Sequence, residues 1–248
     1  MAEARTAAAL VIGNELLSGK IADDNVVVLA RTLRGIGVRL ERVVMVLDDL
    51  DVIAADVRAL SESYDVVFTS GGVGPTHDDL TVDAIAAAFE VEVVRSPPME
   101  AMLRQYYGDE ITEGHLRMAR SPAGARLVTT DEMPWPTVVM NNVWILPGVP
   151  QIFAMKMAVV ASDLGTERVV QSIAVYTMLD EGHLKPKLDQ VVASHPEVTI
   201  GSYPRWRDPR YRTKITFDAE ALDRCHAARD ALLGLLDDDA VVDLDDEA

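Results

Sequence analysis

The chain begins its ordered pattern with an unbroken apolar run, residues 7–12, that stops at Gly13. A strand that is apolar on both faces must be covered on both faces, which is the situation of a strand inside a parallel sheet. Strand-sized segments follow at 42–47 and at 65–70 (DVVFTS). Between them lie helical patterns. Residues 25–36 mix Val27, Val28, Ala30 and Leu33 with Arg31 and Arg34 and end at Gly35 and Gly37, while 51–63 align Ile53, Val57 and Leu60 on one face. Residues 81–89 predict a further helix. Alternation of this kind requires right-handed crossovers and a parallel sheet with helices on both faces, and ligands then bind at the C-terminal ends of the strands. Gly13-Asn14-Glu15, Leu47-Asp48-Asp49 and Ser70-Gly71-Gly72 all fall there, so three loops are expected to meet at one pocket.

The remainder reads in two parts. Residues 97–107 and 112–119 predict helices, 137–140 and 143–146 a hairpin turned by Asn141-Asn142, and 151–160 a helix after Pro147-Gly148-Val149-Pro150. Beyond Gly165 the order changes: strand 169–178, helix 181–194, a strand pair 198–203 and 211–217, helix 220–236 and a short strand 240–242. This βαββαβ order is that of a split-βαβ sandwich. The expected fold class is therefore α/β, a parallel-sheet sandwich over residues 1–165 with a smaller βαββαβ subdomain over 166–248.

Charge restricts the partners. A formal net charge of −17 repels a phosphate backbone, so no nucleic-acid partner is expected, and an anionic substrate has to be met by local donors or by a metal ion. Part of that charge is the run Asp237, Asp238, Asp239, Asp243, Asp245, Asp246 and Glu247, read as a solvated tail. Cys225 is the single cysteine, which excludes an intramolecular disulfide and a Cys-rich zinc site and reads as a small buried apolar residue. Residues 1–13 show no cleavage-site pattern and no apolar run approaches the roughly 20 residues of a membrane span, so a cytoplasmic protein without a membrane partner is expected.

The loop after residue 68 carries most of the chemistry. Gly71, Gly72 and Gly74 let backbone amides approach a ligand, Pro75 stiffens the exit, and Thr69, Ser70 and Thr76 add hydroxyls. Amides at such a loop favour an anion, typically phosphate; the alternative is a tight turn that needs glycine for geometry only. Asp78 and Asp79 follow. One of them, Asp79, has the position of a helix cap before Thr81, but two carboxylates beside a phosphate cradle also suit a divalent cation of the Mg²⁺ or Mn²⁺ type, with Asp48 and Glu15 on neighbouring strand ends. His77 is read as a ligand or a proton carrier or, equally, an exposed loop histidine; His115, His183, His195 and His226 show no metal-binding spacing. No Gly-x-Ser-x-Gly elbow, Walker lysine or Gly-x-Gly-x-x-Gly fingerprint is present. In the second part, Gly201-Ser202-Tyr203-Pro204-Arg205-Trp206 presents two aromatic rings with Arg205 and Arg207, either to stack on a ring or hold a phosphate, or to pack as a hairpin loop.

These motifs have a family likeness. Gly13-Asn14-Glu15-Leu16-Leu17-Ser18-Gly19, Asp24-Asn25, Asp48, the string Gly71 to Thr81 and Leu146-Pro147-Gly148-Val149-Pro150 resemble the MoaB/Mog (molybdopterin-binding) superfamily, within it CinA-type proteins and the N-terminal domain of eukaryotic FAD synthase. Asp180-Glu181-Gly182 and Gly201 to Pro204 resemble the second subdomain of the same proteins. The resemblance implies metal-dependent hydrolysis of a nucleotide diphosphate such as FAD or ADP-ribose, with Asp48 and Asp79 catalytic, Asp48, Asp78 and Asp79 holding Mg²⁺ or a similar ion, and Gly13, Glu15, Asn25, Thr69, Ser70, Gly71, Gly72, Gly74, Pro75, Thr76, Pro147 and Gly148 binding substrate. It also implies a homo-oligomer. The alternatives are a non-hydrolytic pterin-binding protein of molybdenum cofactor biosynthesis and a non-catalytic nucleotide-binding module. Val73 stands where MogA-like loops carry Thr or Ser, and Asn14 where FAD synthases carry Asp. The amidase domain of CinA and the adenylyltransferase domain of FAD synthase have no counterpart in the 248 residues, so neither deamidation nor FAD synthesis is expected.

Overall fold

The structure is a computed structural model that describes residues 5–165 and 170–242. Two compact units divide the chain, residues 1–167 and 168–248.

The first unit runs β1 (Thr6–Ile12), α1 (Asn14–Leu17), α2 (Asn25–Gly35), β2 (Arg39–Val46), α3 (Leu50–Ser63), β3 (Val66–Ser70) and α4 (Thr81–Ala88). It continues with β4 (Val93–Arg95), α5 (Pro97–Tyr107), α6 (Glu113–Arg117), β5 (Arg120–Pro122), β6 (Arg126–Val128), β7 (Thr137–Met140), β8 (Val143–Leu146) and α7 (Pro150–Leu164). The main sheet has the order β2-β1-β3-β8-β7-β6; the first four strands are parallel, and β7 and β6 are antiparallel to their neighbours.

The parity of β1 shows why its run is apolar throughout. Ala8, Leu10 and Ile12 pack with Ile53 and Val57 of α3, Ile85 of α4 and Leu103 of α5, while Ala7 and Ala9 face the other way, toward the layer of Leu29 and Leu33 of α2 and Phe153 and Val160 of α7. Each large side chain fully buried in these layers stabilises the fold by about 1.5–3 kcal/mol. With both faces covered, the open edge that remains for a ligand is the row of strand C-termini.

Several elements differ from expectation. The short helix α1 and the strands β4, β5 and β6 were not foreseen, and β2 begins at Arg39 rather than 42. Three-residue strands are too short to show alternation. β6 is held at the sheet edge by long-range contacts, a paired hydrogen bond from Arg126 to Asp163 at 3.0 and 2.8 Å and the stacking of Arg126 on Trp144.

The second unit runs β9 (Gln171–Thr177), α8 (Glu181–Ser194), β10 (Thr199–Pro204), β11 (Thr213–Ala219), α9 (Leu222–Leu233) and β12 (Val241–Val242). Its antiparallel sheet has the order β10-β11-β9-β12, the βαββαβ arrangement expected. Along β11, Thr213, Ile215, Phe217 and Ala219 are buried, and Ile215 and Phe217 meet Leu184, Val191 and Leu232 in one core with Cys225. Cys225 is a free, buried thiol and fills the apolar role expected of it. Residue 169 of the expected first strand, and Asp243, Asp245, Asp246 and Glu247 of the acidic run, lie outside the described residues. Among the described residues no helix is long and apolar enough to cross a membrane.

Candidate functional site

The C-terminal ends of β1, β2, β3 and β8 are stitched together by backbone. The Gly13 amide donates to the Val46 carbonyl at 3.1 Å and the Gly71 amide to the Leu146 carbonyl at 3.3 Å. Glycine at 71 is a steric necessity: φ is 106° there, and a Cβ would stand 2.2 Å from the Ile12 carbonyl oxygen. At Gly72, φ is 65° and a Cβ would meet the Thr81 hydroxyl at 2.3 Å. Thr81, at the start of α4 and fully buried, clasps this turn by donating its hydroxyl to the Gly71 carbonyl at 2.7 Å and its amide to the Gly72 carbonyl at 3.0 Å. The amides of Gly72, Val73 and Gly74 are left without a protein acceptor among the described residues.

In front of these loops lies a cavity of about 1310 Å³. Of the residues singled out in the sequence, Gly13, Glu15, Asn25, Asp48, Ser70, Gly71, Gly72, Gly74, Pro75, Asp78, Asp79, Pro147 and Gly148 line it. Two do not, and their expected role is corrected. Thr69 is wholly buried in β3 and donates its hydroxyl to the Trp144 carbonyl at 3.3 Å. Thr76 turns both its amide (2.7 Å) and its hydroxyl (2.5 Å) onto Asp79 Oδ2. Gly71 lines the cavity while its amide serves the sheet, so the first loop amide without a protein acceptor among the described residues is that of Gly72. Asn25, 4% exposed at the start of α2, binds two loops at once, donating to Ser70 Oγ and to the Gly148 carbonyl, each at 2.9 Å.

The carboxylates divide by role. Asp49 caps α3, accepting from the amides of Asp51 and Val52, and this leaves Asp48 to face the cavity. Asp48 Oδ2 accepts from the Asn14 amide at 2.8 Å and Asn14 Oδ1 accepts from the Asp48 amide at 3.3 Å, so asparagine at 14 completes a reciprocal pair without adding a charge. Burial pushes the Asp48 carboxyl above its usual range; the Asn14 amide opposes the shift, and the charges of Glu15, Asp78 and Asp79 add to it. Asp79 does not cap α4, whose N-cap is Leu80 without a side-chain bond; its carboxylate closes the loop back onto Thr76. Asp78 is exposed and held below the usual carboxylate range, first by the neighbouring Thr76 hydroxyl, which it shares with Asp79. His77 is on the surface, its side chain 96% exposed.

A hard cation suits this donor chemistry in one respect and not in another. Mutually repelling carboxylates on one cavity call for positive charge. Yet among the described residues no three His, Cys, Asp or Glu side chains are grouped so as to hold an ion, so the three-ligand set Asp48, Asp78 and Asp79 is not assembled. Mg²⁺ commonly takes only one or two carboxylates and completes its shell with water and substrate phosphates. Asp48 and Asp79 both line the cavity.

The cavity also has cations and rings that the sequence reading passed over. Arg117 lines it from α6 and Lys156 from α7, with Tyr106, Met102 and Trp135 on the apolar wall. Lys156 is 3% exposed, donates to the Trp135 carbonyl, and has its pKa pushed down to about 8 by burial. Its place in an apolar helical stripe, among Phe153, Met157 and Val160, was the available signal. The candidate loop of the second unit behaves differently: Ser202 donates to Glu181 at 2.8 Å, Arg205 and Arg210 pair with Asp208 at 3.8 and 3.2 Å, and Trp206 is 89% exposed.

Known proteins match this geometry over most of the chain. The family described as "Probable molybdopterin binding domain" matches residues 8–165, the segment that contains every residue lining the cavity. The chain belongs to the molybdopterin-binding (MoaB/Mog) family. Within this family it is of the CinA type and similar to FAD synthase; the family described as "FAD synthase, middle domain" matches residues 169–245. A probable FAD synthase of Caenorhabditis elegans is 31% identical over 264 residues, covering 95% of this chain and 51% of that protein. A CinA-like protein of Frankia casuarinae is 30% identical over 88% of this chain and 54% of its own length. The chain thus spans about half the length of these two relatives. The crystal structure of the protein CinA, of unknown function, from Thermoplasma acidophilum aligns with a TM-score of 0.59 at 31% identity, covering 65% of this chain and 98% of that one.

Proposed function

We propose that this molybdopterin-binding-type domain hydrolyses the diphosphate bond of a nucleotide of the FAD or ADP-ribose class with the help of a divalent cation. The observation that carries the reading is the juxtaposition, on one cavity, of unused loop amides at Gly72 to Gly74 with the carboxylates of Asp48 and Asp79. Amides at that position accept the negative charge of phosphate oxygens, and they are preorganised because Thr81 and Asn25 lock the loops on either side. Asp48 and Asp79 would hold the cation; a bound ion of this kind neutralises the diphosphate and lowers the pKa of a water molecule for attack on phosphorus. Asp79 keeps its own geometry through Thr76, and Asp48 through Asn14. The wall of Met102, Tyr106 and Trp135 is broad enough in character to receive a planar ring.

The same wall supports a second reading, non-hydrolytic binding of a pterin, in line with the description of the matching family. One experiment separates the two. FAD, ADP-ribose and NAD are incubated with the protein and Mg²⁺, Mn²⁺ or Co²⁺, and release of mononucleotides is followed beside a molybdopterin binding titration. Metal-dependent mononucleotide release supports the hydrolase; pterin binding without turnover of any diphosphate replaces it with the second reading.

A further inference from the structure

Three arginines of the first unit have different circumstances. Arg120 is locked to Asp83 by two bonds of 3.0 and 2.8 Å, and Arg126 to Asp163 by two of the same lengths. Arg117, at the end of α6 and three residues before Arg120, pairs with no carboxylate among the described residues. Its Nη2 donates to the Asp79 main-chain carbonyl at 3.3 Å, its Nε is buried without an acceptor, and its side chain lines the cavity. A half-buried guanidinium without a counter-ion is costly, and a single long bond to a carbonyl recovers little of that cost. A neutral glutamine would serve such a tie as well.

We propose that Arg117 is a phosphate-binding residue, its guanidinium taking the diphosphate oxygens of the nucleotide beside the loop that carries Asp79. This rests on the diphosphate reading above and adds to it the positive group that a chain of net charge −17 must supply locally to an anionic substrate. The bond to the Asp79 carbonyl orients the group and occupies one of five N–H donors, leaving a fork that matches two phosphate oxygens. Removal from bulk water strengthens such charge-assisted bonds. Because the anchor is the backbone of residue 79, the guanidinium and the Asp79 carboxylate are set by the same peptide segment, and a substrate phosphate that meets one is placed for the other.

The test is calorimetric binding of inorganic pyrophosphate and of ADP-ribose to the full chain and to Arg117→Gln, Arg117→Lys and, as a control outside the cavity, Arg104→Gln, with hydrolysis assayed in parallel. Arg117→Gln is expected to weaken both ligands by roughly 30-fold, as loss of charge-assisted bonds implies. Arg117→Lys should restore part of the affinity by returning the charge without the fork, methylguanidinium should restore turnover to Arg117→Gln, and Arg104→Gln should bind as the wild type does. Unchanged affinity in both Arg117 variants, or a wild type that binds neither ligand, overturns the proposal. If Arg117→Gln does not fold, the lysine variant decides. Arg117-dependent binding without hydrolysis of any diphosphate supports the proposal and refutes the hydrolase; hydrolysis at wild-type rate in Arg117→Gln refutes the proposal and leaves the hydrolase standing.

Discussion

Two loops in this protein carry glycine, hydroxyl and charged residues at strand ends, and they use them in opposite ways. Between β3 and α4, the backbone is clamped by Thr81 and Thr76, the amides of Gly72 to Gly74 have no protein acceptor among the described residues, and Gly72, Gly74 and Asp79 line a cavity. Between β10 and β11, the polar groups satisfy one another: Asp208 takes Arg205 and Arg210, Arg205 lies over Tyr211, and Ser202, within β10, binds Glu181 of α8. A hairpin joins two neighbouring strands and closes upon itself. A crossover loop in a parallel sheet leaves its polar groups at an edge that no element of the sheet covers. Composition alone does not distinguish the two; connectivity does.

Breaking the first loop should have the largest effect. Asp79→Asn keeps an acceptor for Thr76 but removes a charged oxygen ligand, so turnover of a diphosphate should fall on the order of a hundredfold while the melting temperature stays nearly constant. Equal turnover in wild type and variant would remove Asp79 from the chemistry. Gly71→Ala should act on the frame instead: the added Cβ meets the Ile12 carbonyl in a backbone conformation that alanine rarely adopts, and a loss of about 2 kcal/mol or more by urea unfolding is expected, with weakened ligand binding. A stability within about 0.5 kcal/mol of wild type would show that the clamp is softer than its geometry.

Lys156 gives a smaller, pH-dependent effect. Its folded-state pKa of about 8 lies below the ordinary 10.5, so between those values the unfolded chain binds more protons and stability rises with pH. Lys156→Met should remove that rise, seen as a smaller gain in unfolding free energy from pH 8 to 10.5 than in the wild type. An unchanged gain would assign it to another group. Trp206→Ala, in the second loop, should change turnover less than about twofold and stability by under about 0.5 kcal/mol, the expectation for an exposed residue without a role. A marked loss of nucleotide affinity in that variant would erase the distinction between the loops.

Much of this was readable in advance, and the misses share a cause. The strands at 7–12 and 65–70, the helices at 25–36, 51–63 and 81–89, and the convergence of Gly13, Asp48 and Gly72 on one edge follow from local pattern together with the handedness of crossovers. Thr69 was misread because a hydroxyl next to a glycine loop looks like a donor, whereas strand parity buries it against Trp144. Asp79 was weighed as a helix cap because it precedes Thr81, yet the loop bends it back to Thr76. Arg117 belongs to an element far along the chain and nothing near it in sequence marks it as facing the cavity, whereas the apolar stripe around Lys156 marks its burial but not the cavity it meets.

By itself, then, the sequence determined the order of elements, the two-part division in which a parallel sheet is followed by a βαββαβ unit, and the edge at which three loops would meet, because hydrophobic periodicity and glycine placement are local and the handedness of crossovers is general. Only the tertiary structure decided which polar atoms remain available. The amide of Gly71 is consumed by Leu146 while that of Gly72 is not, Asp49 caps a helix while Asp48 is forced up in pKa by burial first and then by Glu15, Asp78 and Asp79, and among the described residues Arg120 has a carboxylate while Arg117 has none. Each of those outcomes depends on a partner tens of residues away or on a turn of the backbone by one peptide, and hydrogen bonding and charge pairing respond to distances of an ångström that spacing along the chain does not encode.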